Sequence, residues 1–149
     1  MHTAIVTGGT KGIGFGIAQA ILTSGGRVMI AGRDEAAVQQ AVQTLQPRKG
    51  DRSDVAGLAV DVRDRAAVDR LVAETARRFG GFNVLVNNAG VAAMKDVAET
   101  TDDDWAKVID TNLTGVFYCS RASLPWLCKA ATSWIIGSTY SSQVASTSA

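Results

Sequence analysis

Short apolar runs alternate with longer apolar stripes along this chain. Thr3 to Val6 is a short run ending in a glycine cluster, which predicts a buried strand and a tight turn. Ile13, Ile17, Ala18, Ile21 and Leu22 then recur at helical spacing and stop at Gly25-Gly26, a helix C-terminal signal. Val28 to Ala31 predicts a second strand. Asp34 can cap a helix whose stripe is Val38, Ala41, Val42 and Leu45, with Pro47 as its stop. The polar stretch from Pro47 to Asp54 reads as a surface loop. Val55 to Val60 predicts a third strand. Asp64 caps a helix with its stripe at Val68, Leu71, Val72, Thr75 and Phe79, closed by Gly80-Gly81. Val84 to Val86 predicts a fourth strand running into Asn87-Asn88-Ala89-Gly90. Thr101 and three aspartates start a long helix, because acids favour the positive end of the helix dipole. Its stripe is Trp105, Val108, Ile109, Leu113, Val116, Phe117, Leu124 and Leu127, and a fifth strand is predicted around Trp134 to Gly137.

Strands alternating with helices imply β-α-β units with right-handed crossovers. The expected fold class is therefore α/β, a doubly wound parallel sheet of about five strands with helices on both faces. Such sheets bind ligands beyond the carboxyl ends of their strands. The glycine cluster, Asp61, the Asn-Asn-Ala-Gly turn and Ser138 all fall there.

Composition narrows the function. The length of 149 residues implies one domain, 1–149, able to bury a real core. Fifteen Lys+Arg against 14 Asp+Glu give a net charge of +1, which argues against a nucleic-acid or polybasic membrane partner. No apolar run reaches the roughly 18 residues of a membrane span. The N-terminus enters a strand at once, without the layout of a secretory signal, so a cytoplasmic location is expected. Cys119 and Cys128 stand nine residues apart on one predicted helix, on opposite faces, and are expected to be reduced thiols. No metal is implied.

The first turn reads Thr7-Gly8-Gly9-Thr10-Lys11-Gly12-Ile13-Gly14. The ordinary GxGxxG dinucleotide pattern fails, because Ile17 stands where its third glycine should be. Glycines permit positive φ and let the backbone approach a pyrophosphate. The helix beginning near Gly14 would offer that anion unpaired N–H groups and its positive dipole end. A ligand-free strand–helix turn is the plainer alternative. A P-loop is excluded, since no Gly-Lys-Ser/Thr follows.

These residues resemble the short-chain dehydrogenases/reductases, whose TGxxxGIG turn is matched by Thr7 through Gly14. The resemblance continues with Asp61-Val62 after the third strand, Asn87-Asn88-Ala89-Gly90 after the fourth, and Asn112 in the long helix. It implies a Rossmann-like fold and a cofactor site at Gly8, Thr10, Lys11, Gly12, Ile13 and Gly14. Asp61 and Val62 would border the adenine, and Asn88, Ala89 and Gly90 would line the cofactor. It also implies a small carbonyl or alcohol substrate and a possible homo-oligomer. In the family an asparagine at the place of Asn112 belongs to the catalytic tetrad and helps hold a proton-relay water. Asn112 also interrupts an apolar stripe, where a core asparagine bonded to backbone is the alternative. The family's catalytic serine falls at Ser138.

Charge argues the cofactor. An acid about 20 positions past the glycine turn binds the ribose 2′-hydroxyl of NAD, whereas an arginine accommodates the 2′-phosphate of NADP. By the resemblance, Gly32 takes the place of the acid, and Arg33 follows. Lys11 adds a second cation, and two cations can embrace a dianionic phosphate. NADP(H) is therefore favoured over NAD(H), with Asp34 left as a helix cap.

One family feature is absent. The proton donor of the family is the tyrosine of a Tyr-x-x-x-Lys motif. Ala122 stands four residues after Tyr118, and Val144 four after Tyr140, so neither tyrosine completes it. The resemblance therefore implies a C-terminally truncated member, inactive alone, and a sheet that has lost cover on one side. The competing readings are an NADP(H)-binding module without turnover and a non-functional fragment.

Overall fold

The computed structural model describes residues 1–46, 53–130, 132–137 and 141–144. Strands β1 (Thr3–Thr7), β2 (Arg27–Gly32), β3 (Asp54–Ala59), β4 (Val84–Asn87), β5 (Ser133–Gly137) and β6 (Ser141–Val144) form one sheet in the order β3-β2-β1-β4-β5-β6. The first five are parallel, and β6 returns antiparallel to β5. The doubly wound parallel sheet is thus as expected, with an added sixth strand. β6 is a short, polar run that carries no hydrophobic period, so the pattern of apolar residues gives no sign of it.

Helices α1 (Gly12–Thr23) and α2 (Glu35–Leu45) cover one face. Their Ala18, Leu22, Ala41 and Leu45 pack on Ala4, Val6, Val28, Ile30, Val84 and Val86. Helices α3 (Arg65–Phe79) and α5 (Gly115–Leu127) cover the other, where Val68, Leu71, Val72, Cys119 and Leu127 meet Ile5, Met29 and Leu85. Every β1 residue is buried, as a central parallel strand requires. Caps set the helix starts: Asp34 accepts from the Ala37 N–H, and Asp64 from those of Ala66 and Ala67. Thr101 and Asp104 form a reciprocal capping box on α4 (Asp102–Ile109). Gly80 closes α3 in the left-handed conformation, φ 76°. Pro47 lies outside the described residues; α2 ends before it, at Leu45.

The long helix differs from expectation in two ways. It is α4 and α5 joined by a π-helical turn, Asp110–Thr114. And of the expected stripe of large apolar residues, its fully buried face keeps only Leu127. The buried positions are Gly115, Cys119, Ser123 and Leu127, four apart, so small side chains let α5 lie close to the sheet. Trp105, Leu113, Phe117 and Leu124 are exposed instead. At β5, Trp134 and Ile136 each keep 38% of their surface, whereas Ile135 packs into the α3–α5 core.

Both cysteines are free, Cys119 buried and Cys128 exposed. Burial pushes the Cys119 thiol up to about 12, which leaves it inert as a nucleophile. Helix α5 supplies a direct check on its orientation. Phe117→Ser should change stability by no more than about 0.5 kcal/mol. Cys119→Leu should destabilise by about 1–3 kcal/mol through overpacking. Urea midpoints measure both, and the reverse ranking would invert the assigned inner face.

Candidate functional site

The connections reverse direction at β1: the chain passes outward through β2 and β3, then returns to add β4 on the other side. The crevice at the carboxyl ends of β1 and β4 is the switch point where such sheets bind ligands. Thr7 closes it from beneath. Its buried hydroxyl donates to the Val86 carbonyl at 3.3 Å and accepts the N–H groups of Asn88 at 3.1 Å and Ala89 at 3.0 Å. The Asn88 side chain adds two bonds, its Nδ2 donating to the carbonyls of Thr7 and Gly8, both at 3.1 Å. Asn88 thus ties the fourth-strand turn to the first.

The glycines follow from this tie. Gly8 and Gly12 have φ of 64° and 58°, left-handed values that other residues seldom adopt. A Cβ on Gly8 would stand 2.9 Å from Asn88 Nδ2, and one on Gly14 would collide with the same atom and the Gly8 carbonyl. Helix α1 then begins at Gly12 behind Lys11, with no side-chain cap and no acid in its first turn. Helices α2, α3 and α4 all carry side-chain caps. The first N–H groups of α1 are left for another acceptor. Ile13, 77% exposed, and Lys11 stand at the mouth of this turn.

At the neighbouring strand end, a Cβ on Gly32 would lie 2.7 Å from Thr10 Cγ2. A side chain at position 32 would therefore require Thr10 to shift. Arg33 is exposed beside that contact, as Lys11 is on its other side in the chain. Asp34 serves as the α2 cap, as expected. The Val60 N–H donates to the Gly32 carbonyl at 2.8 Å, which brings the segment after β3 alongside Arg33. Asp61 there is paired with Arg63 at 2.6 Å, and hydrogen bonding from Arg63 holds its carboxyl below the ordinary range against the opposing effect of burial. Val62 is buried against Gly115, where a Cβ would stand 2.7 Å from Val62 Cγ2. What Val62 offers a ligand is backbone.

Asn112 sits in the π-helical turn and is exposed, not buried on an apolar face. Its side-chain amide is committed to one residue: Oδ1 accepts the Val91 N–H at 2.9 Å and Nδ2 donates to the Val91 carbonyl at 2.8 Å. The reason is geometric, since a π turn pushes one residue out of the helical stripe and toward the loop after β4. Gly90 passes close by, its missing Cβ 3.4 Å from Asn112 Oδ1. Lys95 in the same loop pairs with Asp104 at 2.6 Å. Ser138 and Tyr140 lie outside the described residues. Sequence reasoning passed over Thr7 and Val91 as organising groups; Thr7 stood inside the glycine motif, but Val91 contributes only backbone and leaves no signal.

A twelve-residue helix with a bare N-terminus behind a glycine turn, at the switch point of a parallel sheet, defines a dinucleotide-binding type of fold. The family model for short chain dehydrogenase matches residues 2–147, and the chain belongs to that family. It is 40% identical over 121 residues to a putative ketoacyl reductase of the granaticin polyketide synthase of Streptomyces violaceoruber, covering 81% of this chain and 43% of that one. It is 36% identical over 121 residues to an NADP-dependent (R)-specific alcohol dehydrogenase of Lentilactobacillus kefiri, 81% of this chain and 46% of that one. An alcohol dehydrogenase of the archaeon Thermococcus sibiricus, solved with 5-hydroxy-NADP, superposes with a TM-score of 0.77 at 28% identity over 87% of this chain and 54% of that one. The chain spans about half the length of these relatives. Among the described residues, no helix is long and apolar enough to cross a membrane.

Two outcomes test the site's construction. Thr7→Val keeps the shape and removes the acceptor for two N–H groups. It should cost about 1–3 kcal/mol and speed amide exchange at Asn88 and Ala89, read by NMR. Asp104 bears on the loop after β4. Lys95 first, then Thr101, lowers its pKa from 3.8 to about 2. A lowered carboxyl stabilises the fold above its unfolded pKa and loses that contribution as pH falls through the folded one. The Lys95–Asp104 contribution should therefore be whole above about pH 4 and fade toward pH 2. A carboxyl NMR titration of Asp104 checks it, and Lys95→Met should move the midpoint upward.

Proposed function

We propose that these residues form the NADP(H)-binding part of an oxidoreductase that moves a hydride between nicotinamide and a carbonyl or alcohol. The supporting observation is the uncapped start of α1 behind Gly8, Gly12 and Gly14, with Lys11 and Arg33 flanking the Thr10–Gly32 contact. A pyrophosphate suits the bare N–H groups, and a 2′-phosphate suits two exposed cations beside a glycine that carries no carboxylate. The names of the Lentilactobacillus and Thermococcus relatives, both tied to NADP, point the same way.

The residues fit the cofactor as a cradle. The backbone at Gly12, Ile13 and Gly14 would hold its pyrophosphate, and Lys11 and Arg33 its 2′-phosphate. Asp61 and the Val62 backbone would border the adenine, and Asn88, Ala89 and Gly90 would line the path toward the nicotinamide. Bound there, the cofactor supplies the hydride step; the chain supplies orientation. Asn112 fixes the wall of the site by holding Val91 in place. Ser138 would hold the substrate oxygen. Proton transfer needs a further group, since no tyrosine of this sequence has a lysine four residues on. With an ordinary phenol pKa of about 10, an unassisted tyrosine transfers protons poorly near neutrality. The 149-residue chain thus binds NADP(H) without turnover.

Fluorescence titration with NADPH and then NADH tests the reading, with NADPH expected to bind more tightly. Arg33→Asp should weaken NADPH by about ten- to a hundredfold and NADH far less. Equal losses would remove the 2′-phosphate role from Arg33. Steady NADPH oxidation with a panel of ketones, abolished by Ser138→Ala, would overturn the absence of turnover.

A further inference from the structure

The Asp61–Arg63 pair does not have the character of a stabilising device. Both side chains are open to solvent, 30% and 39% exposed, and exposed pairs of this kind contribute little to stability. Yet its geometry is unusually complete. Arg63 Nε donates to Oδ1 at 3.0 Å and to Oδ2 at 3.1 Å, Nη2 donates to Oδ2 at 2.6 Å, and the Arg63 backbone N–H donates to Oδ1 at 3.0 Å. Both carboxylate oxygens are occupied.

The position explains the need. The Val60–Gly32 bond sets the ends of β2 and β3 side by side, so Asp61 and Arg33 follow from adjacent strand ends. The Arg33 charge reaches Asp61, adding to the pull of Arg63 on that carboxyl. An unpaired carboxylate there would do two things. It would take Arg33 as its own counter-ion, and it would repel a dianionic phosphate. An exposed pair between Asp61 and Arg33 would be worth up to about 1 kcal/mol, little for stability but enough to shift a binding ratio severalfold.

We propose that Arg63 is a positioning residue for cofactor choice: by occupying both oxygens of Asp61, it leaves Arg33 free to meet the 2′-phosphate. This rests on the reading of Arg33 given above and extends it to a residue two positions past Asp61 that would act through Asp61 and not on the cofactor. Asp110 is the other charge felt by Arg63, and it lies on the π-helical turn. The device is thus bounded on both sides by acids, and only one of them adjoins Arg33.

The test is the ratio of NADPH to NADH affinity in the full chain, because contacts common to both cofactors cancel in it. Arg63→Met should lower that ratio about tenfold, mainly through weaker NADPH binding. Arg63→Lys, which keeps the charge but not the fork, should recover part of it. Asp61→Asn placed in the Arg63→Met background should restore the ratio, since no carboxylate remains to compete for Arg33. A ratio unchanged by Arg63→Met would overturn the proposal. So would a double variant that stays as low as Arg63→Met, which would make Arg63 a direct phosphate ligand. A wild-type chain with no NADPH preference would overturn the reading of Arg33 as well, and is told apart by that first measurement alone.

Discussion

Thr7 joins the two halves of the sheet at the point where their main chains begin to part. The β1–β4 ladder runs from Ala4 and Val84 as far as Val6 and Val86. One residue further, the β1 chain must turn toward α1 and the β4 chain toward the loop before α4. The Thr7 hydroxyl carries the pairing across that gap, with one donated and two accepted hydrogen bonds. It is buried, as is Val86, so the hydroxyl and that carbonyl have no water to fall back on. Asn88 can then lie across the first turn, and the glycines at 8 and 14 become a requirement of its presence. The bare turn that could receive a phosphate is thus a result of how the sheet is closed.

The charged groups around the crevice divide by whether they have a partner. Asp34 and Asp64 are spent on helix caps, Asp104 on Thr101 and Lys95, and Asp61 on Arg63. The acids near the strand ends are thereby engaged locally. Lys11 and Arg33 remain exposed beside the start of α1, which has no side-chain cap. Electrostatic character here comes from which charges are already occupied, since a net charge of +1 predicts nothing local.

Much of this was legible in the residues, for definable reasons. Asp34, Asp64 and Thr101 mark helix starts because a cap needs a short oxygen-bearing side chain at one position, a local requirement. The glycine turn is legible because left-handed φ and close approach both exclude other residues. The inner face of α5 was not legible. Two stripes compete there, and the larger apolar residues form the outer one; packing distance, a property of the assembled layers, selects Gly115 and Cys119 instead. Asn112 drew notice as a polar residue in an apolar stripe, but its exposure and its bond to Val91 depend on the π-helical turn, which has no residue code. Arg63 carried no signal in the sequence, because its meaning comes from a neighbouring strand end 30 residues earlier in the chain.

That π-helical turn has a consequence for how the family can vary. A turn closed over five residues holds one more residue than the α-helical ladder needs. Each residue of an α-helix advances it by about 100°. Loss of one residue between Asp110 and Thr114 would let the ladder close without a break, and α4 would swing by that angle relative to α5. The capping box, Lys95 and the loop after β4 would be carried round with it, while the buried side of α5 stayed in place. The wall of the crevice is therefore set by a count of residues as much as by their identity, and an alignment gap there would signal a reshaped site even if every named side chain were retained.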